Sequence, residues 1–278
     1  MSAISLYAKP SPDFADKLAH SLALIQSAAT QYSPLTQASS LGAEDMVITH
    51  LMHQAGLDSA SAGIFVLDTG MLHAETLALV GRIEARYPFT VEVYHPDADA
   101  ASAFVEANGA QAMYKSLALR KQCCHIRKME PLERALDGKK GWLTGLRREQ
   151  SAARSEVHDI EQQVISVNGR VAERAKVNPL VEWTQGDIWH FISSNEIPYN
   201  PLHDQFFPSI GCAPCTRAVT LGEDFRSGRW WWENESAKEC GLHVAADGTH
   251  EAQEPAAFEP LSSLANASSI IPIREIPA

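Results

Sequence analysis

The sequence predicts a single α/β domain with a central, mainly parallel sheet flanked by helices. Residues 64–67 form an apolar run that ends at polar residues, as a buried parallel strand does. A helical pattern over 73–86 and a strand pattern over 89–94 follow, and this order implies a right-handed crossover between parallel strands. A chain of 278 residues is long enough for one such core.

Before this unit, residues 12–29 carry apolar side chains at helical spacing, which predicts an amphipathic helix. Residues 37–51 then pass from a strand end through a turn of small residues into a helix. Such a turn presents free backbone N–H groups and commonly binds anions. Because parallel sheets bind ligands at the carboxyl ends of their strands, we predict that residues 40–45 and 68–70 lie together.

The second half of the sheet domain begins with a helical pattern over 115–136, followed by a strand over 142–146. Residues 164–174 predict a hairpin that turns at Asn168 and Gly169, and Thr184 is typical of the N-cap of a helix that runs through 192. We therefore divide the chain into an N-terminal helical segment (1–35), the sheet domain (36–243) and a polar, proline-bearing tail (244–278), expected to be loosely held.

Composition excludes several function classes. The net charge of −11 argues against a nucleic-acid surface, since no positive field would attract phosphates. No signal peptide is recognisable, and no stretch approaches the ~18 apolar residues of a membrane span. We expect a cytoplasmic protein, whose five cysteines are ligands or nucleophiles rather than disulfides.

Four cysteines form a candidate ligand set. Cys212 and Cys215 lie three apart on a turn that contains proline, and Cys123 and Cys124 are adjacent. Neighbours on a helix diverge by about 100°, which suits one zinc ion poorly. In a 4Fe-4S cluster each thiolate binds a different iron, so adjacent cysteines can reach different corners. The pattern favours the cluster and leaves zinc, or thiols without a metal, as alternatives.

The fifth cysteine, Cys240, is a candidate nucleophile. It stands in a short polar segment before a glycine, which favours access. Lys238 and His243 would favour the thiolate and Glu239 would oppose it. The alternative is a passive, half-buried thiol.

Seven basic residues are candidates for an anion pocket, because guanidinium groups grip phosphate and sulfate in a fork geometry. For each of them the alternative is a solvated surface charge. These residues are Lys128, Arg147, Arg148, Arg154, Arg217, Arg226 and Arg229. The three tryptophans at 230–232 are interpreted as packing residues that anchor this segment.

Four motifs in this order resemble the assimilatory adenylyl-sulfate reductases, the iron-sulfur branch of the phosphoadenylyl-sulfate reductase family. The motifs are Lys121-Gln122-Cys123-Cys124 with Lys128, Cys212-Ala213-Pro214-Cys215-Thr216-Arg217, Gly222-Glu223-Asp224 followed by Arg226 and Gly228-Arg229-Trp230-Trp231-Trp232-Glu233, and Glu239-Cys240-Gly241-Leu242-His243. The resemblance covers residues 39–243. It implies an adenine nucleotide alpha-hydrolase-like fold, related to the N-type ATP pyrophosphatases.

The resemblance also implies roles for particular residues. One 4Fe-4S cluster would be held by Cys123, Cys124, Cys212 and Cys215, and Cys240 would be the nucleophile. The substrate-binding candidates, from the motifs and the basic cluster together, are Ser40, Gly42, Asp45, Leu67, Asp68, Thr69, Gly70, Lys128, Arg147, Arg148, Arg226, Arg229 and His243. One residue departs from the family pattern: Leu41 stands where family members commonly have serine, so backbone groups must replace a hydroxyl there.

The implied reaction is attack of Cys240 on the sulfur of adenylyl sulfate with release of AMP. No thioredoxin-like module follows in the chain, so the reductant would be a separate thioredoxin or glutaredoxin; assembly as a homo-oligomer is compatible with the resemblance. Three alternatives stay open: a phosphoadenylyl-sulfate reductase, an ATP-using thiolase of the pyrophosphatase group, and a nucleotide-binding iron-sulfur redox sensor without catalysis.

Overall fold

A computed structural model of the protein describes residues 2–167 and 170–233. Its strands form one sheet of six strands in the order β3-β2-β1-β4-β6-β5. The strands are β1 (Leu35–Ser39), β2 (Ala62–Leu67), β3 (Val91–Tyr94), β4 (Gly141–Leu143), β5 (Ile160–Val167) and β6 (Arg170–Val177). The predicted turn at Asn168 and Gly169 and the predicted tail over 244–278 lie outside the described residues.

The described residues also form α-helices. They are α1 (Ala3–Tyr7), α2 (Phe14–Gln31), α3 (Ala43–Gln54), α4 (Ala74–Arg86), α5 (Ala98–Asn108), α6 (Leu117–Cys124), α7 (Glu130–Leu136) and α8 (Gln185–Ser194). The described part of the chain has no helix that is long and apolar enough to cross a membrane.

Strand direction confirms the predicted mainly parallel sheet. β1 pairs in parallel with β2 and β4, β2 with β3, and β4 with β6, whereas β5 runs antiparallel to β6. The chain order reverses at β1, because β2 and β3 lie on one side of it and β4 lies on the other. Open α/β sheets bind ligands at such a switch point, outside the carboxyl ends of the strands.

One buried core joins the N-terminal helices to the sheet. Ile25 and Ala28 of α2 belong to the same apolar cluster as Leu35 of β1. α8 begins as predicted at Thr184, whose hydroxyl accepts from the Asp187 N–H at 3.1 Å while the Asp187 carboxylate accepts from the Thr184 N–H at 2.9 Å. This reciprocal cap satisfies backbone donors that a helix start leaves open.

The predicted continuous helix over 115–136 was wrong in one respect. A π-helix, His125–Met129, separates α6 from α7. Pro131 lies in the first turn of α7, and it has no N–H to donate to the carbonyl four residues earlier. The chain accommodates this lost bond by widening the helix directly after Cys123 and Cys124.

Candidate functional site

A cleft opens at the carboxyl edge of β1, β2 and β4. It encloses about 1270 Å³, counting the solvent at its mouth. Its floor is apolar and includes Phe65, Val66 and Trp142, whereas polar groups from the strand ends and two loops rise around it. An apolar floor with few converging polar groups is the usual form of a small-molecule site.

The loop over residues 39–45 forms one wall. The Asp45 carboxylate accepts hydrogen bonds from the Ser40 N–H at 2.7 Å and the Ser40 hydroxyl at 2.6 Å, which closes the loop. Burial raises the pKa of Asp45 to about 6. Gly42, the N-cap of α3, also lines the cleft.

Leu41 has a different environment from its neighbours in this loop. Its φ of 61° is left-handed, which is costly for a leucine. Its side chain is fully buried in the core, so packing offsets the strain. The position therefore offers the cleft no hydroxyl, as the sequence predicted.

Basic side chains form another part of the cleft lining. Lys128 from the π-helix, together with Arg226 and Arg229, lines the cleft, so the structure brings these three predicted residues together. The Arg229 guanidinium donates from Nη1 to the Ser209 hydroxyl and the Ile210 carbonyl, both at 3.2 Å. Fixed in this way, it is a preorganised donor for an anion.

Arg147 and Arg148, also predicted to bind substrate, do not line the cleft. Arg147 is 1% exposed and donates to Glu44 Oε1 from Nε at 3.1 Å and Nη2 at 3.0 Å. Arg148 pairs with Glu182 and donates to the Val157 carbonyl at 2.9 Å. Arg154, the third arginine of this stretch, lies in the lining instead.

In the loop after β2, too, only some of the predicted substrate-binding residues line the cleft. Leu67 and Thr69 line the cleft, whereas Asp68 and Gly70 do not. The Asp68 carboxylate accepts from the Gly70 N–H at 2.9 Å, and Gly70 has a left-handed φ of 69°. Asp68 and Gly70 therefore shape the turn that presents Thr69.

A second, smaller cavity is lined by Cys123, Cys124, Cys212 and Cys215, so the structure brings these four predicted ligands together. The Thr69 hydroxyl lies 3.2 Å from the Cys212 sulfur. Burial raises the pKa of Cys123, and it raises the pKa of Cys215 to about 12. Among the described residues, no three His, Cys, Asp or Glu side chains are grouped as a single metal ion would require.

The two cavities share a wall. Lys128 lines both of them. Trp230 lines the cleft and packs on Cys212 and Cys215 on its other side. Its indole N–H is buried without a hydrogen-bond partner, and Thr69 likewise faces the cleft while contacting Cys212. A ligand in the cleft would thus lie beside the cysteine cavity.

Sequence reasoning missed His203, which lines the cleft. Its Nδ1 lies 2.8 Å from the Phe207 carbonyl and must donate to it, so the buried, unpartnered Nε2 is an acceptor in the neutral ring. Burial lowers the pKa of His203, which favours that neutral form. No spacing pattern marks a single histidine in a loop; only the fold brings it to the cleft.

Cys240 and His243 lie outside the described residues. The described chain ends at Glu233, shortly after Arg229 and Trp230, which line the cleft.

Comparison with known proteins identifies relatives along most of the chain. Residues 34–218 match the phosphoadenosine phosphosulfate reductase domain. An adenosine 5'-phosphosulfate reductase of Burkholderia cepacia is 47% identical over 233 residues, covering 84% of this chain and 90% of the relative. Another from Neisseria meningitidis serogroup A is 52% identical over 207 residues, covering 74% of this chain and 81% of the relative.

A solved structure supports the fold. The crystal structure of the phosphoadenylyl-sulfate reductase of Candida auris, in a phosphate complex, superposes with a TM-score of 0.57 at 24% identity. The match covers 72% of this chain and 90% of that one. The predicted α/β fold class is therefore confirmed.

Proposed function

This chain belongs to the phosphoadenosine phosphosulfate reductase family, and we propose that it reduces adenosine 5'-phosphosulfate to sulfite and AMP in sulfate assimilation. The observation that carries this proposal is the position of Lys128, which lines both the cleft and the cysteine cavity. A phosphosulfate held by Lys128 would lie at the shared wall of the two cavities.

We propose that the nucleotide part of the substrate binds along the loop over 39–45 and the end of β2. Ser40, Gly42, Asp45, Leu67 and Thr69 line that side of the cleft. The phosphate and sulfate would face Lys128, Arg226 and Arg229. This division follows the charges, since the loop over 39–45 carries Asp45, whereas Lys128, Arg226 and Arg229 are cationic.

Cys240 is the proposed nucleophile. Its thiolate attacks the sulfur of the substrate, forming an S–S bond while the bond from that sulfur to the phosphate oxygen breaks. AMP leaves with the electron pair, and the enzyme keeps an S-sulfo-cysteine. Because AMP is a good leaving group, the step needs positioning and charge neutralisation more than a strong base. His243 is proposed beside the nucleophile.

A separate dithiol protein, thioredoxin or glutaredoxin, completes the cycle in this proposal. One of its thiolates attacks the Cys240 sulfur and expels sulfite, and its second thiolate resolves the mixed disulfide. Cys240 is thereby restored, and the partner leaves as a disulfide. A reducing cytoplasm, which keeps such partners in their dithiol form, suits this cycle.

The cysteine cavity fits a 4Fe-4S cluster in its chemistry. The four cysteines around it supply the four thiolates such a cluster requires. Without a metal, burial disfavours the thiolates, whereas iron holds coordinating sulfur deprotonated. Trp230 packs on Cys212 and Cys215, and its buried indole N–H has no hydrogen-bond acceptor. The sulfur of a cluster would provide one. When bound, the cluster would supply a fixed local charge beside the sulfate.

The test compares sulfite release from adenosine 5'-phosphosulfate and from its 3'-phosphorylated analogue, using anaerobically purified protein with a thioredoxin system. We expect a strong preference for the former. Preference for the latter would retain the nucleophile and overturn the substrate. Turnover of neither would overturn the reductase and favour a nucleotide-binding redox sensor.

A further inference from the structure

Arg120 and Glu233 form a buried ion pair near the cysteine cavity. Nε of Arg120 donates to Glu233 Oε1 at 2.9 Å, and Nη2 donates to Oε2 at 2.7 Å. The two side chains are only 1% and 6% exposed. This two-pronged geometry is the most specific one that arginine and a carboxylate can adopt. The pair ties α6 to the end of the described C-terminal segment.

The pair also contacts groups that belong to both cavities. Arg120 lines the cysteine cavity and lies three residues before Cys123 on α6. Its guanidinium carbon lies 4.7 Å from the centre of a Trp230 ring. Arg229, which lines the cleft, lies 4.8 Å from a ring centre of the same tryptophan. Trp230 therefore contacts one cation from each cavity lining.

The backbone at Trp230 requires such support. Its φ of 41° is left-handed, which is a strained conformation for a large side chain. Strain of this kind persists only where surrounding contacts impose it. The Trp230 N–H donates to the Cys215 carbonyl at 3.2 Å, and the Glu233 N–H donates to the Trp230 carbonyl at 2.8 Å. Glu233 thus closes a turn whose other end rests on the cysteine motif.

Glu233 also fixes where the nucleophile's segment begins. Cys240 follows it by seven residues in the sequence, which span at most about 25 Å when fully extended. The turn that Glu233 closes is therefore the last described part of the chain before the proposed nucleophile, and an ordered turn there would reduce the number of positions that the following residues can sample.

We propose that Arg120 is a positioning residue for sulfur transfer: through its paired hydrogen bonds to Glu233 and its contact with Trp230, it anchors the turn over 230–233, from which the chain continues to Cys240. The proposal rests on the proposed function. Arg229 is held independently by Ser209 and Ile210. Loss of the Arg120–Glu233 pair should therefore lower the transfer rate more than it weakens substrate binding.

The test measures a single turnover without reductant, as transfer of radioactive sulfur from labelled adenosine 5'-phosphosulfate to the protein. Three variants are compared. Arg120→Lys keeps the positive charge but cannot form the paired hydrogen bonds, and Glu233→Asp keeps the negative charge on a shorter side chain. The third is the double variant. The matched control is the exposed Arg134–Glu130 pair on α7, which has the same two-pronged geometry through Nε and Nη2 at 2.6 and 3.0 Å. Its variants are Arg134→Lys and Glu130→Asp.

We expect each variant of the Arg120–Glu233 pair to lower the saturating transfer rate at least about tenfold. The concentration of substrate at half-maximal rate should change less than about threefold, since ground-state contacts remain. The double variant should match the slower single variant, because both substitutions remove one interaction. The control variants should transfer sulfur at the wild-type rate, and visible absorbance and urea unfolding are followed in all proteins.

Two results would overturn the proposal separately. If wild-type protein acquires no label, the proposed function fails and the positioning role fails with it. If wild-type protein is labelled and Arg120→Lys is labelled equally fast, only the positioning role fails. Equal labelling combined with a lower unfolding midpoint would assign the pair to stability alone.

Discussion

The hydroxyl of Thr69 lies 3.2 Å from the sulfur of Cys212. This contact joins the loop after β2, which faces the cleft, to the first cysteine of the Cys-x-x-Cys turn. Thr69 is fully buried, so water cannot replace it as a hydrogen-bond donor.

Thr69→Val should weaken retention of the proposed 4Fe-4S cluster. A thiolate would lose a buried donor, at a cost of about 1–3 kcal/mol. The measurement is the rate at which visible absorbance bleaches in air. Thr69→Ser keeps the hydroxyl and should bleach like wild type; equal bleaching of the valine variant would show that the hydroxyl does not stabilise the cluster.

Cys240→Ser should reduce sulfite release at least about a thousandfold, because an alcohol cannot replace the thiolate nucleophile. Its visible absorbance should match wild type, since Cys240 is not among the proposed ligands. Cys123→Ser is the complementary control and should lose the absorbance. Retained turnover in Cys240→Ser would refute the covalent mechanism.

Gly145→Ala should disturb the loop over 39–45. A Cβ at this position would lie 2.7 Å from Asp45 Oδ1 and 2.9 Å from Glu44 Cβ, so the loop must move. We expect a loss of about 1–3 kcal/mol in unfolding free energy and a raised KM for the nucleotide. Gly81→Ala, on α4, has nothing within 4 Å and should leave KM unchanged; a normal KM in Gly145→Ala would contradict the loop's role.

Arg147→Met and Arg148→Met should differ although the two positions are adjacent. The Arg147 side chain is 2% exposed and pairs with Glu44, which is 13% exposed, so its loss leaves a buried carboxylate and costs about 3–5 kcal/mol of unfolding free energy. The Arg148–Glu182 pair is 36% and 53% exposed, so its loss should cost at most about 1 kcal/mol. Urea unfolding measures both, and equal losses would refute the buried role of Arg147.

Acid should destabilise the protein through His50. Burial lowers the pKa of His50 to about 4, whereas the unfolded chain takes up this proton below about 6.5. As pH falls from about 6.5 to 4, proton uptake therefore favours the unfolded state, by about 3 kcal/mol in total. Urea unfolding of His50→Gln across this range should show a smaller loss than wild type.

Asp45→Asn is compared with His50→Gln, because the pKa shift of Asp45 affects stability with the opposite pH dependence. Burial raises the pKa of Asp45 from 3.8 to about 6, so in wild type its contribution to stability is lost as pH rises between these values. The variant lacks this loss, and its stability should climb more steeply with pH than that of wild type. Identical pH slopes in all three proteins would contradict both assignments.

The sequence predicted the sheet because strand and turn patterns are local, and it marked each cysteine pair through its own short spacing. The apolar run of β2, the small-residue turn before α3 and the Cys-x-x-Cys spacing each carry their signal within a few residues. α5 (Ala98–Asn108) was not predicted, because its alanine-rich stretch buries only Phe104 and shows little periodicity.

The contents of the cleft wall were harder to predict, because they depend on where side chains point. Arg147, Arg148 and Arg154 are equally basic in sequence, and only the acidic partners Glu44 and Glu182, far along the chain, turn the first two away from the cleft. His203 lies in the cleft wall because the fold brings its segment close to strands that are distant in the sequence. Such pairings between distant residues leave no local signal.

The π-helix over His125–Met129 fixes the orientation of α6, which carries Cys123 and Cys124, relative to α7. On its far side, Leu132 and Leu136 of α7 pack under Phe65 and Trp142 of the sheet and cannot rotate. Deleting one residue from the π-helix should therefore change the orientation of Cys123 and Cys124 relative to α7, which would stay in place. The number of residues in the π-helix thus fixes the position of the cysteine cavity relative to the sheet. This stretch should therefore tolerate substitutions more readily than insertions or deletions.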